Sequence, residues 1–301
     1  MLTFLKLGHK GNLGNQLFQI ASTMGLAKQY GHDFIFPKWH YSKYFDFNFN
    51  DNLSHDDWMI LNEEKFNFYE WNISKENFSI NGWLQTELYF KNIDIKSVFK
   101  FNEQFEKQVL FKREELYSKP TILISVRRGD FVNSEGYFQL SYKYYFTALI
   151  NHFPDFNNYN IIFTSDDINY CKYHFSFLEN VFFLEGLNAV EQLAIATKFD
   201  HYIISNSTFS WWLARLGENE KTKVICPVKN FKGSYASKYD EKDYFPKRWI
   251  RHNEKEFKIP LKYYKLFFKG ELFKYNHTLI NFFKNKVRKT KKKIKKIIQN
   301  I

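Results

Sequence analysis

Two arginines stand side by side in Ser125-Val126-Arg127-Arg128-Gly129-Asp130-Phe131. Only seven of the chain's 44 basic residues are arginine, so the pair departs from a strong preference for lysine. Guanidinium groups are planar, permanently charged and bidentate, which suits the oxygens of a phosphate or pyrophosphate. Gly129 lets the backbone turn sharply, and Asp130 can hold one arginine in an ion pair; the structural alternative is a salt-bridge cluster at a strand end. A second cluster, Ser205-Asn206-Ser207-Thr208-Phe209-Ser210, offers hydroxyls and backbone N–H groups just ahead of a predicted helix, where the helix dipole favours an anion. Ser207 and Thr208 are therefore candidate phosphate ligands, and equally ordinary helix caps. Asp166 and Asp167 can accept hydrogen bonds from ribose hydroxyls or a base edge, or can form a turn and a cap. Gly8 to Gln16, with Gly11, Gly14 and Asn15, has the strand, glycine loop and helix context of a segment that approaches a ligand with its backbone. It lacks both the Lys-Ser/Thr of a P-loop and the dinucleotide spacing. No Asp-x-Asp occurs, and no His/Asp/Glu set has metal-ligand spacing. Charge developing on a departing phosphate would thus be met by arginine and backbone dipoles, and no cofactor or divalent metal is expected.

These clusters need elements to gather them. Leu2 to Leu7 reads as a strand, Asn15 to Tyr30 as a helix stopped by Gly31, and Asp33 to Phe36 as a second strand. From there to about Lys119 the chain is aromatic-rich with weak periodicity. Thr121 to Val126 is an almost continuous β-favouring run, as expected of a strand buried on both faces. Strands then alternate with helices: Asn160 to Phe163, Val181 to Leu184, Tyr202 to Ile204 and Val224 to Cys226 as strands, Val190 to Lys198 and Phe209 to Leu216 as helices. The alternation predicts an α/β fold with parallel sheets, one in each half. Each polar cluster follows a predicted strand, where open α/β sheets bind their ligands. The expected organisation is an α/β lobe over residues 1–118, a second over 119–260, and a basic helical tail over 261–301.

With 301 residues, 44% of them apolar, the chain can bury a sizeable core, which excludes intrinsic disorder and a disulfide-stapled miniprotein. Cys171 and Cys226 make no CxxC or Cys/His cluster, which fits a reduced, cytoplasmic protein. No apolar window suits a signal peptide or a membrane span. The net charge of +12 is mostly local: nine Lys/Arg and no acid lie between Lys284 and Ile301, leaving a net +3 on the other 283 residues. A nucleic-acid partner, suggested by the pI of 9.3 and 62 aromatic residues, is disfavoured by that balanced body. Val287, Ile294, Ile297, Ile298 and Ile301 among the lysines of residues 284–301 make a basic, partly amphipathic pattern. It suits peripheral contact with the inner face of the cytoplasmic membrane, or solvated disorder.

Taken together, the segment from Gly11 to Gln19, the arginine motif, Phe163 to Asp167, and Ser205-Asn206-Ser207-Thr208-Phe209-Ser210-Trp211-Trp212 resemble the α-1,2-fucosyltransferases of glycosyltransferase family 11. The resemblance runs from about residue 3 to residue 230. It implies a two-lobed fold of the glycosyltransferase B type, with parallel sheets facing a cleft. It also implies GDP-fucose as donor, a galactose-terminated glycan as acceptor, and inverting, metal-independent transfer of L-fucose to a 2-hydroxyl. On this likeness Arg127 and Arg128 would grip the pyrophosphate, aided by Asp130, and Asn15 with Gly14 would approach the fucosyl phosphate from the other lobe. Ser207, Thr208 and Phe209 would line the phosphate and nucleoside site, and Asp166 and Asp167 would recognise ribose or guanine. One departure stands out: many family members carry histidine where this chain has Ser125.

Overall fold

The computed structural model describes residues 1–49, 53 and 58–272. In chain order its elements are β1 (Leu2–Thr3), α1 (Leu13–Tyr30), β2 (Met59–Asn62), β3 (Phe78–Asn81), α2 (Ile95–Val98), α3 (Glu103–Phe111), β4 (Thr121–Val126) and α4 (Tyr142–His152). There follow β5 (Asn160–Ser165), α5 (Ile168–Phe175), β6 (Val181–Phe183), α6 (Ala189–Ala196), β7 (His201–Ile203), α7 (Thr208–Gly217), β8 (Val224–Pro227), α8 (Gly233–Lys238) and β9 (Ile250–His252). Two parallel sheets result, one ordered β1-β3-β2 and the other β6-β5-β4-β7-β8-β9.

In the larger sheet the chain starts at β4, winds outward through β5 and β6, then returns to β7 on the other side of β4. This reversal leaves a crevice at the carboxyl ends of β4 and β7, the position at which doubly wound sheets take their ligands. The β4 strand is buried along its whole length because it has strands on both edges and helices over its faces, which explains its unbroken apolar reading.

One apolar cluster runs through both halves of the chain. Phe18 of α1 lies 4.5 Å from Trp211 and 5.1 Å from Trp212 of α7, ring centre to ring centre. Gly25 permits α1 to pack on Tyr89, whose carbonyl oxygen would sit 2.0 Å from an added Cβ. Ion pairs reinforce the same junction: Glu87 meets Arg248 at 2.6 Å, and Glu218 pairs with Arg248 and accepts from the Trp249 indole at 2.7 Å. The two clusters of functional residues are thereby fixed relative to each other.

Two expected strands fall short. Leu2 to Leu7 pairs only over Leu2–Thr3, because Leu7 N–H turns back to the Phe4 carbonyl and Gly8 takes φ +83°, folding the segment into turns. Asp33 to Phe36 makes an isolated bridge from Phe34 to Leu2, with two backbone hydrogen bonds flanking it. The aromatic-rich stretch before Lys119 contributes β2, β3, α2 and α3, and the larger sheet gains β9 and the helices α4 and α5. A helical segment over 264–272 packs on α4, with Phe267 5.7 Å from Tyr142. Residues 284–301, read as a membrane-binding tail, lie outside the described residues. Among the described residues no helix is long and apolar enough to cross a membrane.

Candidate functional site

A cavity of about 430 Å³ opens between the two sheets at the β4/β7 crevice. Its wall on the small-sheet side is the start of α1, with Asn12, Leu13, Gly14 and Asn15, joined by Tyr41 and Gln85. The opposite wall comes from the large sheet: Ser125, Arg127 and Asp130 after β4, Thr164 and Asp166 at the end of β5, and Ser207, Thr208 and Phe209 entering α7.

Two helix N-termini converge here. Gly14 lies so close to α7 that an added Cβ would sit 2.5 Å from the backbone nitrogen of Phe209, so no larger residue fits without parting the walls. Neither helix carries an acidic residue in its first turn. Asn12, at the N-cap of α1, makes no side-chain cap, whereas Ser207 caps α7 by accepting from Phe209 N–H at 3.2 Å. The positive ends of two helix dipoles thus face one space, an arrangement that favours an anion.

Arg127 enters from β4 with its guanidinium spanned by two carboxylates. Nε and Nη2 donate to Asp130 at 3.1 and 2.6 Å, and Nη1 meets Asp166 at 3.1 Å. Of the five N–H donors of an arginine, two remain for a ligand. Asp166 also accepts from the backbone N–H of Arg128 at 2.9 Å, so it braces the turn as well as the side chain. Gly129 is required by this brace, since an added Cβ would lie 2.2 Å from an Asp166 oxygen.

Arg128 stands apart from Arg127. It was expected to share the pyrophosphate with Arg127, yet it does not line the cavity. Its guanidinium stacks 3.9 Å over the ring of Tyr170 and its Nε donates to Asp167 at 3.2 Å. Arg128 follows the end of β4 and leaves extended backbone at φ −130°, ψ −73°, and its contacts with Tyr170 and Asp167 hold it away from the cavity. Asp167 likewise lies off the cavity; it holds Arg128 and caps α5 through Tyr170 N–H at 3.2 Å. Gly14, Asn15, Arg127, Asp130, Asp166, Ser207, Thr208 and Phe209 do line the cavity together.

Ser125, at the position of the family histidine, donates no base. Its hydroxyl is 2.7 Å from that of Ser210, which is itself 2.7 Å from that of Ser205. This buried trio ties the ends of β4 and β7 across the crevice. Asn206, also buried, braces the site from below by donating to the carbonyls of Phe138 and Asn230, both at 2.9 Å.

Gln85 was not found by sequence reasoning. Its Nε2 donates to Asn15 Oδ1 at 2.8 Å, while Asn15 Nδ2 lies against Gly11, where an added Cβ would sit 2.4 Å from it. Gln85 is held in turn by the turn before it: Leu84 has φ +56°, and the Glu63 carboxylate accepts from Trp83 N–H at 2.7 Å and Leu84 N–H at 2.9 Å. Burial raises Glu63 to about 6 against the pull of those two N–H groups. Tyr41, Tyr137, Gln192 and Asn230 also line the cavity. No sequence signal marks Gln85, because the strand before it does not read as one, and none marks Tyr41.

Among the described residues no group of three or more His, Cys, Asp or Glu could hold a metal ion. Both cysteines are buried and free, and burial pushes each thiol up to about 12, which removes them as nucleophiles.

An α-1,2-colitosyltransferase of Escherichia coli is 28% identical over 139 residues, 44% of this chain and 47% of that protein. The O-antigen biosynthesis glycosyltransferase WbnK of Escherichia coli is 28% identical over 138 residues, 43% of this chain and 45% of its own length. The chain thus spans about half the length of the curated relatives it matches. Among solved structures, the NodZ α-1,6-fucosyltransferase co-crystallised with GDP superimposes with a TM-score of 0.51 at 14% identity, over 70% of this chain and 90% of that one. NodZ from Bradyrhizobium gives 0.51 at 14% identity, over 70% and 91%. At that identity the likeness is one of fold, and it shows the α/β architecture of the glycosyltransferase B type. The model of the glycosyl transferase family 11 matches residues 37–253, well over half of the sequence, and the chain belongs to that family.

Proposed function

We propose that this protein transfers L-fucose from GDP-fucose to the 2-hydroxyl of a galactoside, forming an α-1,2 linkage with inversion, in the synthesis of a surface polysaccharide or oligosaccharide. The observation that carries this reading is the convergence of Arg127 with the N-termini of α1 and α7 on one cavity at the strand reversal. Such a site suits a diphosphate, and the family supplies the sugar-transfer chemistry.

In the proposed step the acceptor oxygen attacks the anomeric carbon of the donor sugar. The bond from that carbon to the β-phosphate oxygen breaks, GDP leaves with the electron pair, and the acceptor proton passes to a carboxylate or water. Arg127 and the helix dipoles stabilise the charge that grows on the leaving oxygen. With Asp130 and Asp166 the Arg127 group carries a net charge of −1, so an arriving phosphate competes for the guanidinium with Asp130, whose side chain is 64% exposed. Asn15, oriented by Gln85, donates from the other wall. Asp166 reaches the donor through Arg127, and Thr208 and Phe209 bound the nucleotide. No step calls for a divalent metal: transfer should persist in EDTA, and restoration by Mg²⁺ or Mn²⁺ after EDTA inhibition would refute this part.

The name of the first relative favours a second donor, the nucleotide sugar of colitose. The deciding assay offers GDP-fucose and GDP-colitose separately with a panel of β-galactosides, then determines linkage and anomeric configuration of the product by NMR. An α-1,2-fucosyl product supports the proposal. Transfer of colitose alone, a different linkage, or no turnover with any acceptor overturns it.

A further inference from the structure

The end of the described chain presents an apolar face that is exposed among the described residues. Leu261 is 87% exposed, Tyr264 42%, Phe268 56% and Leu272 65%. Their spacing of three, four and four places them on one side of the helix over 264–272. With Tyr264 as origin and about 100° per residue, the exposed apolar stripe occupies about 0–80°. Lys265, Lys269 and Lys262 follow at about 100–160°, all exposed. The sector from about 200° to 300° is the anchored face. There Tyr263 and Phe267 lie 6.1 and 6.0 Å from Phe146, and Gly270 sits so close to Tyr142 that an added Cβ would be 2.4 Å from its ring. One flank is thus nailed to α4, and the outward flank pairs an apolar ridge with a row of amines.

We propose that this outward flank is a membrane-contact face that seats on a bilayer rich in anionic lipid. The ridge fits the shallow depth that an interfacial helix reaches, and the lysines flank it at the level of the head groups. Charge complementarity selects the occupant. Glu271 is the one acid between residues 261 and 272, and it is half-buried, while the sequence beyond carries nine Lys/Arg and no acid between Lys284 and Ile301. A second copy of this chain would bring the same lysines against themselves, whereas an anionic surface meets them all. The helix runs toward Tyr142, the first residue of α4, on the side of the sheet where the cavity opens. The proposed contact does not rest on the transferase reading.

The test is sedimentation of the full chain with phosphatidylcholine vesicles and with vesicles containing 30% phosphatidylglycerol, at several salt concentrations. The wild type should bind the anionic vesicles and lose binding as salt rises. The triple variant Leu261→Ser, Phe268→Ser, Leu272→Ser should bind at least about tenfold more weakly, with melting temperature and GDP binding unchanged. Equal vesicle binding by the triple variant, or no binding by the wild type, overturns the proposal. So does a change of molecular mass by light scattering without a change in vesicle binding, which would make the face a contact between copies. Should the triple variant fail to fold, an environment-sensitive fluorophore on Leu272→Cys gives an independent reading, the native thiols being buried. Its emission should rise and shift to the blue on anionic vesicles; an unaltered spectrum overturns the idea.

Discussion

Gly129→Ala is a perturbation that leaves every charge in the site unchanged. The new Cβ would lie 2.2 Å from an Asp166 carboxylate oxygen, whereas an ordinary carbon–oxygen contact is about 3.3 Å. The carboxylate must therefore retreat by about 1 Å, which takes the 3.1 Å pair with Arg127 beyond hydrogen-bonding range. Both side chains are about a quarter exposed, so losing the pair should cost no more than about 1 kcal/mol of stability. Catalysis is more sensitive: a misplacement of about 1 Å in a charged group can cost about 10²-fold. We expect kcat to fall about 30- to 100-fold while the melting temperature moves by a few degrees at most. Steady-state kinetics with GDP-fucose and a thermal melt measure both. Because the effect runs through Asp166, adding Gly129→Ala to Asp166→Ala should change little. A folded Gly129→Ala enzyme with more than half of wild-type turnover, or strictly additive losses in the double variant, would refute the reasoning.

Gln85→Glu keeps shape but replaces a donor by an acceptor, so the hydrogen bond that holds Asn15 Oδ1 is lost and the Asn15 amide must reorient. kcat should drop at least about tenfold with little change in melting temperature; unchanged kinetics would remove Gln85 from its positioning role. Stability should also respond to pH through His252, which is 1% exposed and bonded to Thr147 Oγ1 at 2.8 Å and to His152 at 3.1 Å. Burial, then the neighbouring His152, lowers His252 from 6.5 to about 4. The unfolded chain takes up a proton between those values that the folded chain refuses, so this contribution is intact above pH 6.5 and is lost as pH falls toward 4. Melting temperatures recorded from pH 7 to pH 4 should fall across that window, and His252→Phe should flatten the slope; an equal slope in the variant would assign the effect elsewhere.

The large sheet was legible in the sequence because its central strands are buried on both faces, so that Thr121 to Val126 reads as one apolar run and its end coincides with the structure's. Thr208–Gly217 was legible within a residue at each end for a related reason: serine and threonine at its start and apolar spacing within it agree. The small sheet was not. Met59–Asn62 is largely exposed and Phe78–Asn81 is four residues long, so neither shows the alternation that marks a strand. Most of the candidate site followed from polar residues at strand ends, since that is where the fold gathers them. What sequence could not separate is Arg127 from Arg128. Their identities are the same, and which faces the cavity depends on partners 38 and 39 residues away. Gln85 was hidden likewise, because its role depends on an amide 70 residues distant.

The central claim, that Arg127 stabilises the leaving nucleotide diphosphate while Arg128 braces the turn against Tyr170, meets its most direct test in the single-turnover rates of Arg127→Ala and Arg128→Ala with GDP-fucose. Loss of about 10²–10³ in rate for the first and less than about tenfold for the second is predicted. Near-normal rates for Arg127→Ala alongside collapse of a folded Arg128→Ala enzyme would contradict it.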